Sequence, residues 1–337
     1  MDNRIPVTLL TGFLGSGKTT LLNKLLHDPG MKDSAVIINE LGQAGLDHIL
    51  VRNVESEFIA DNVLLLDSGC LCCTLTNEMA DTLRDLFFKR ALGAIPEFKR
   101  LIIETTGMAD PGPIMGNLLN EPVIGSTYRL DAVIVTIDSL YGERQLSDHI
   151  EARKQAAIAD VLLLTKTDLV NDVQLDSLCS RLTTLNAGAT QYKVVNGEIE
   201  PAKVIGVGLF DLSRNAQPTK WLRPAGKDSR SKGKIPDKLH EDGITSFTVT
   251  LPKPLTWEQV EPALLWLISH FGEALLRLKG IIHAVDQPAP LAIHAVHHTL
   301  FPPTLLDGWE ETNPISRVVL IGKGLDETRI RERLMQI

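Results

Sequence analysis

A glycine-rich stretch near the N-terminus has the spacing of a loop that holds phosphate groups. Residues 12–19 read GFLGSGKT, which fits G-x-x-x-x-G-K-[ST]. The glycines let successive backbone N–H groups turn toward phosphate oxygens, and the following helix adds the positive end of its dipole. A strand over residues 5–11 and a helix beginning near Thr19 are predicted on either side, as the motif requires. The sequence therefore predicts a nucleoside triphosphate site; a glycine turn containing Lys and Thr by chance is the alternative.

Each residue of this loop has an expected role. Lys18 is expected to reach the β- and γ-phosphates, and the Thr19 hydroxyl is expected to bind Mg²⁺. The other residues expected to contact the nucleotide are Gly12, Gly15, Ser16, Gly17 and Thr20.

A second candidate lies where an apolar run ends in an acid. Residues 101–104 read LIIE, and TTG follows. Beside a phosphate loop, Glu104 is predicted to hold Mg²⁺ or its water, and the Gly107 N–H is predicted to meet the γ-phosphate. An ordinary strand-end acid in solvent is the alternative for Glu104.

The sequence TKTD at residues 165–168 predicts which nucleobase is bound. It follows a predicted strand over residues 161–164. The Asp168 carboxylate can accept hydrogen bonds from N1–H and the 2-amino group of guanine, a pair that adenine cannot donate. Thr165 and Lys166 are expected to complete this part of the site. The four-residue pattern is weak alone and gains weight from its place after a late strand of the same domain.

The cysteines are clustered. The chain has four in 337 residues, and three of them are Cys70, Cys72 and Cys73. Soft thiolates select Zn²⁺, Co²⁺, Ni²⁺ or Cu⁺ over Mg²⁺, and three ligands from one loop leave a tetrahedral site incomplete, as in an exchangeable site. Small buried apolar residues at a strand end are the alternative. Cys179 is expected to lie on a helix, in the core.

Strand-like and helix-like segments alternate through the first two hundred residues. Near-continuous Val, Ile and Leu runs are typical of parallel strands covered on both faces. They lie at residues 5–11, 35–38, 63–66, 101–103, 132–137, 161–164 and 192–195, with helices predicted at 19–27, 77–90 and 150–158. This pattern predicts an α/β domain with a doubly wound, mainly parallel sheet, whose ligands bind at the carboxyl ends of the strands.

A second, smaller α+β domain is predicted after a basic segment. We expect a first domain over residues 1–212, a linker rich in Pro, Gly and Ser over 213–242, and a C-terminal domain over 243–337. Strands are predicted at residues 244–251, 275–285, 291–298 and 317–323, and helices at 258–269 and 326–335. His294 and His298 would share one face of the third strand and His297 the other, so these histidines do not predict a metal site.

Composition excludes several classes of function. Lys and Arg number 34 against 42 Asp and Glu, a net charge of −8, which argues against duplex nucleic acid as a specific partner. The sequence has no apolar stretch long enough for a membrane span. A cytoplasmic, reducing compartment is expected, where clustered thiols more often bind metal than form structural disulfides.

Together these motifs resemble the CobW/YjiA-like family of metal-binding P-loop GTPases. The resemblance covers nearly the whole chain and rests on VTLLTGFLGSGKTTLL at residues 7–22, NELGQAGLD at 39–47, GCLCC at 69–73, ETTGMADP at 104–111, TKTD at 165–168 and RLKGIIHA at 277–284. It implies a metallochaperone GTPase of the SIMIBI class that binds GTP or GDP, Mg²⁺ and a transition metal, Zn²⁺ first and Co²⁺ or Ni²⁺ otherwise. It also implies that Glu40 joins the cysteines at the metal, implies a client metalloprotein as partner, and leaves a nucleotide-dependent homodimer open.

Two positions depart from the family pattern. Gln43 replaces an acid in the family's N-E-F-G-E segment, which predicts a weaker or three-ligand metal site. Thr165 replaces an Asn that could bridge guanine and the phosphate loop, which predicts looser nucleotide binding. Two other functions stay open: an ATPase or kinase in which TKTD is incidental, and a regulatory or redox-sensing switch without metal cargo.

Overall fold

The computed structural model describes residues 3–39, 64–68, 75–207, 243–251, 254–306 and 315–337. The chain divides into two compact units, each built around one sheet. No helix of the described residues is both long and apolar enough to cross a bilayer.

The first sheet has seven parallel strands. They are β1 (Ile5–Gly12), β2 (Ser34–Asn39), β3 (Leu64–Ser68), β4 (Arg100–Glu104), β5 (Tyr128–Asp138), β6 (Val161–Thr165) and β7 (Thr190–Lys193). Their order in the sheet is β3-β2-β4-β1-β5-β6-β7. The predicted doubly wound parallel sheet is confirmed. Because β1 lies between β4 and β5, the loop after β1 is flanked by the ends of both strands.

Helices connect these strands. They are α1 (Lys18–Leu26), α2 (Leu75–Ala91), α3 (Gly112–Asn120), α4 (Pro122–Thr127), α5 (Gly142–Asp148), α6 (Ile150–Ile158) and α7 (Asp172–Leu185). Leucines of α1 pack into the core against buried residues of β1, β2, β4, β5 and β6. This packing fixes the first turn of α1, and with it the end of the phosphate loop.

The second sheet is antiparallel. Its strands are β8 (Ile244–Leu251), β9 (Leu275–Ile282), β10 (Leu291–Val296), β11 (Thr299–Leu300), β12 (Thr304–Leu305) and β13 (Ser316–Lys323). The order is β11-β10-β9-β13-β8, with β12 also paired to β10. The helices α8 (Trp257–Phe271) and α9 (Glu327–Met335) share one apolar core with strand residues of this sheet. The predicted α+β class of this part is confirmed.

The histidines of the second sheet lie differently from the prediction. β10 ends at Val296, so only His294 is on the strand, where it is buried. His297 has φ 48° and forms a turn with His298 before β11. A left-handed residue cannot continue a strand, and the chain reverses here instead.

Candidate functional site

The loop after β1 takes a conformation that its glycines require. Gly12, Gly15 and Gly17 have φ values of 144°, 71° and 90°, in the region that favours glycine. At Gly12 a Cβ atom would lie 2.2 Å from Thr136 Oγ1 and 2.5 Å from the Thr136 carbonyl oxygen. The Ser16 and Thr136 hydroxyls are 2.6 Å apart, which ties the loop to β5. Packing and backbone conformation thus fix the curled shape that a phosphate-binding loop needs.

Lys18 lies over this loop. Its Nζ donates to the carbonyl oxygen of Gly12 at 2.8 Å and to that of Phe13 at 3.3 Å. The ammonium group is therefore held at the loop, where a bound polyphosphate would be expected.

Thr19 and Glu104 come together from different elements. Leu10 of β1 is the register partner of Glu104 on β4, and the Thr19 hydroxyl donates to Glu104 Oε1 at 3.4 Å. Glu104 is 4% exposed, so the alternative of a strand-end acid in solvent is wrong. A hydroxyl and a buried carboxylate are hard oxygen donors, a set that fits Mg²⁺.

The loop after Glu104 contacts the phosphate loop. The Thr105 hydroxyl donates to Thr11 Oγ1 at 2.7 Å. At Gly107 a Cβ atom would lie 2.8 Å from Leu14 N and 2.9 Å from Leu14 Cα. These backbone atoms cannot move aside as a flexible side chain would, so the close approach requires glycine at this position. Gly107 thus lies directly beside the phosphate loop, as its predicted role requires.

Thr165 is linked to the phosphate loop. It is buried at the end of β6, and its hydroxyl lies 2.8 Å from the Ser16 carbonyl oxygen and 3.1 Å from that of Ile137. We expected threonine here to lose the bridge between guanine and the phosphate loop. The link to the phosphate loop is present, so that half of the expectation is wrong. Looser nucleotide binding, which depends on the base, stays a prediction.

Lys166 joins the predicted base site to the phosphate loop. Its backbone is left-handed, with φ 56°. Its Nζ donates to the Gly15 carbonyl oxygen at 2.8 Å and pairs with Asp138 Oδ2 at 2.5 Å. Asp168, in the short 3₁₀ turn that follows, is exposed and accessible to a base.

Asp138 lies beside the candidate site, and the sequence analysis did not predict it. It is 1% exposed at the end of β5, and besides pairing with Lys166 it accepts hydrogen bonds from the backbone N–H groups of Leu140 and Tyr141. The signal was present, because an acid ends the apolar run of β5 just as Glu104 ends β4.

The residues predicted to bind the transition metal lie outside the described residues: Glu40, Cys70, Cys72 and Cys73. Gln43, predicted to weaken that site, also lies outside them. Within the described part of the chain, no group of three or more His, Cys, Asp or Glu side chains could hold a metal ion. Cys179 lies on α7 and is only half-buried, not in the core as expected; burial raises the pKa of its thiol.

Known protein families match both units. A profile of the CobW/HypB/UreG nucleotide-binding domain matches residues 6–193. A profile of the cobalamin synthesis protein cobW C-terminal domain matches residues 244–337.

Individual proteins are similar over almost the full length. The chain is 35% identical over 329 residues to the zinc chaperone YjiA of Escherichia coli strain K12, covering 98% of this chain and 97% of that protein. It is 28% identical over 322 residues to a zinc chaperone CobW of Sinorhizobium, with coverages of 88% and 86%. The crystal structure of the Zn(II)-bound YjiA GTPase from E. coli superposes with a TM-score of 0.74 at 30% identity, covering 98% of each chain.

Proposed function

The chain belongs to the CobW/HypB/UreG family, and we propose that it is a GTPase that couples its nucleotide state to holding or delivering a transition metal, with Zn²⁺ as the cargo. One observation carries this proposal. The carboxyl ends of three neighbouring strands are in register, because Asn39 of β2 pairs with Ser68 of β3, and Ile38 of β2 pairs with Glu104 of β4. Glu40 comes directly after β2, and the segment with the three cysteines comes after β3. Both segments therefore start from strand ends on the phosphate-site edge of the sheet.

The nucleotide part of the proposal assigns a role to each residue of the candidate site. Lys18 and the N–H groups of residues 15–18 stabilise the phosphates, Gly107 meets the γ-phosphate, and Asp168 selects guanine. Thr19 and Glu104 would hold Mg²⁺, which when bound supplies positive charge beside the phosphate oxygens. We expect slow hydrolysis that rests on positioning and charge neutralisation.

The metal part rests on the cysteines. Cys70, Cys72 and Cys73 are proposed to bind the cargo ion with Glu40, and Co²⁺ or Ni²⁺ would suit the same soft donors. Relatives with matching length are named zinc chaperones, which favours Zn²⁺. An exchangeable ion implies a receiving protein, so we propose a client metalloprotein as partner.

Compartment and domain limits follow the same reasoning. Thiolates that exchange metal must stay reduced, which favours the cytoplasm.

We propose a GTPase domain over residues 1–212, a basic linker over 213–242 and a C-terminal domain over 243–337. The two family matches, at 6–193 and 244–337, support this division.

Guanine selection by Asp168 tests the nucleotide assignment. We expect the wild type to bind GDP about 100-fold more tightly than ADP, because a site built for a bidentate hydrogen bond rejects a base that cannot form it. Asp168→Ala should bring the two affinities within a few-fold of each other. Calorimetric titration with each nucleotide measures both.

Asp176→Ala is the control, because Asp176 is an exposed acid on α7, the helix that follows Asp168 in the chain. It should leave the preference for GDP intact. Equal affinity of the wild type for GDP and ADP, and likewise for GTP and ATP, would overturn the guanine assignment and favour the ATPase or kinase instead.

A further inference from the structure

Helix α6 holds the loop after Glu104 through two consecutive side chains. Gln155 Nε2 donates to the carbonyl oxygen of Gly107 at 3.3 Å and to that of Ala109 at 3.0 Å. Lys154 Nζ pairs with Asp110 Oδ2 at 3.0 Å. Two neighbouring residues of this helix therefore hold two backbone carbonyls and one side chain of the segment 107–110.

Gln155 is an unusual residue for its surroundings. It is 1% exposed, and the alanines beside it, Ala152 and Ala156, are also buried. Burying an amide is unfavourable unless its polar atoms form hydrogen bonds. Its Nε2 forms two, but its Oε1 is buried and accepts none from the described residues. An apolar side chain would avoid this cost, so packing alone does not account for glutamine here.

The contacts of Gln155 act on a defined turn. The Ala109 N–H donates to the Thr106 carbonyl oxygen at 3.1 Å, which closes the turn that contains Gly107. The Thr106 carbonyl and the Gly107 N–H belong to the same peptide plane. The hydrogen bond from Ala109 to the Thr106 carbonyl therefore restrains the direction of the Gly107 N–H. Gln155 holds this turn in place through the carbonyls of Gly107 and Ala109.

The opposite side of the turn lies against the phosphate loop. Gly107 contacts the backbone of Leu14 closely enough to exclude a Cβ atom. The same helix also reaches the phosphate loop, because His149, the residue before α6, stacks on Phe13 with ring centroids 4.5 Å apart. The turn is thus held between the phosphate loop and Gln155.

We propose that Gln155 is a positioning residue for the γ-phosphate: it fixes the turn at residues 106–109 so that the Gly107 N–H is preorganised to contact that group. The inference rests on the proposed GTPase function. A preorganised donor needs no rearrangement when charge develops on the phosphate. GDP lacks the γ-phosphate, so its binding does not use this contact.

Gln155→Met tests the proposal, because methionine has a similar length and no hydrogen-bond donor for the two carbonyls. We expect kcat for GTP to fall by about 10- to 100-fold, as small misplacements in a site do, while the Kd for GDP stays within about twofold. Beryllium fluoride, which occupies the γ-phosphate position beside bound GDP, should tighten GDP binding in the wild type and fail to do so in the variant.

Gln191→Met is the matched control. Gln191 also donates its Nε2 to a backbone carbonyl, that of Cys179 at 3.2 Å, but lies on β7. Gln191→Met should leave unchanged the kcat for GTP and the Kd for GDP, measured with and without beryllium fluoride. The Tm of each variant with GDP reports folding. If Gln155→Met does not fold, Gln155→Leu takes its place, because leucine also lacks a donor and has no polar atom whose burial costs free energy.

Two results would overturn the inference: kcat within twofold of the wild type, or a parallel loss of kcat and GDP affinity, which indicates a packing role only. A wild type that binds no guanine nucleotide would overturn the proposed function, and this inference with it. The first two results leave the proposed function standing, so the two failures are distinguishable.

Discussion

Lys18→Ala is expected to abolish measurable GTP turnover, lowering kcat by about 1,000-fold. The Lys18 ammonium is held at the loop by the carbonyl oxygens of Gly12 and Phe13, and it supplies the positive charge that the β- and γ-phosphates need. A second ammonium near this loop, on Lys166, is paired with Asp138. It cannot replace Lys18 without giving up that pair. Phosphate release under saturating GTP measures the loss.

The Lys18 variant also separates the two proposed sites. Zinc binding by the nucleotide-free protein should remain largely intact, since the proposed metal ligands lie on other segments. Lys24→Ala is the control: Lys24 lies on the same helix, is 54% exposed and pairs with Glu198 at 3.8 Å, and its loss should not change turnover. Turnover that survives Lys18→Ala would show that the phosphate-loop assignment is wrong.

Fold class followed from the sequence because the strands are long apolar runs. The run at residues 161–164 lies in β6, and all of β6 is buried, as parallel strands covered on both faces must be. Helices α3 and α4 were not predicted. Pro113 and Pro122 suggest breaks in a helix, yet both lie in the first turn, where the missing N–H has no intrahelical partner.

The candidate site also contains residues that could be predicted from the sequence and residues that could not. Lys18 and Thr19 were predictable, because their motif is contiguous and its chemistry is local. Gln155 was not, because its contact with Gly107 joins residues 48 apart in sequence. Only the folded chain shows that a glutamine in an alanine-rich helix holds a loop from another strand. Asp138 ends an apolar run as Glu104 does, but its pairing with Lys166, which follows β6, is seen only in the folded chain.

Cys72→Ala is expected to remove tight zinc binding, with a loss of affinity of at least about 100-fold, because even residues outside the coordination shell can contribute 10- to 100-fold. Three cysteines in one segment already leave the tetrahedral site short of a ligand, so losing one leaves too few to compete with water. Zinc affinity is measured by competition with a chelator of known affinity. The titration is run without nucleotide, with GDP and with GTP.

The fourth cysteine provides the matched control. Cys179 lies on α7, half-buried and apart from the other three in sequence, and Cys179→Ala should leave zinc affinity unchanged.

The zinc affinity of the wild type should differ between the GDP and GTP states. The chain enters the cysteine segment from β3, which pairs with β2. The same β2 pairs with β4, the strand that ends in Glu104 beside the phosphate loop. An affinity independent of nucleotide would remove the coupling even if both sites exist. Protein that binds no stoichiometric zinc but forms a reversible Cys70–Cys73 disulfide would instead be a redox switch.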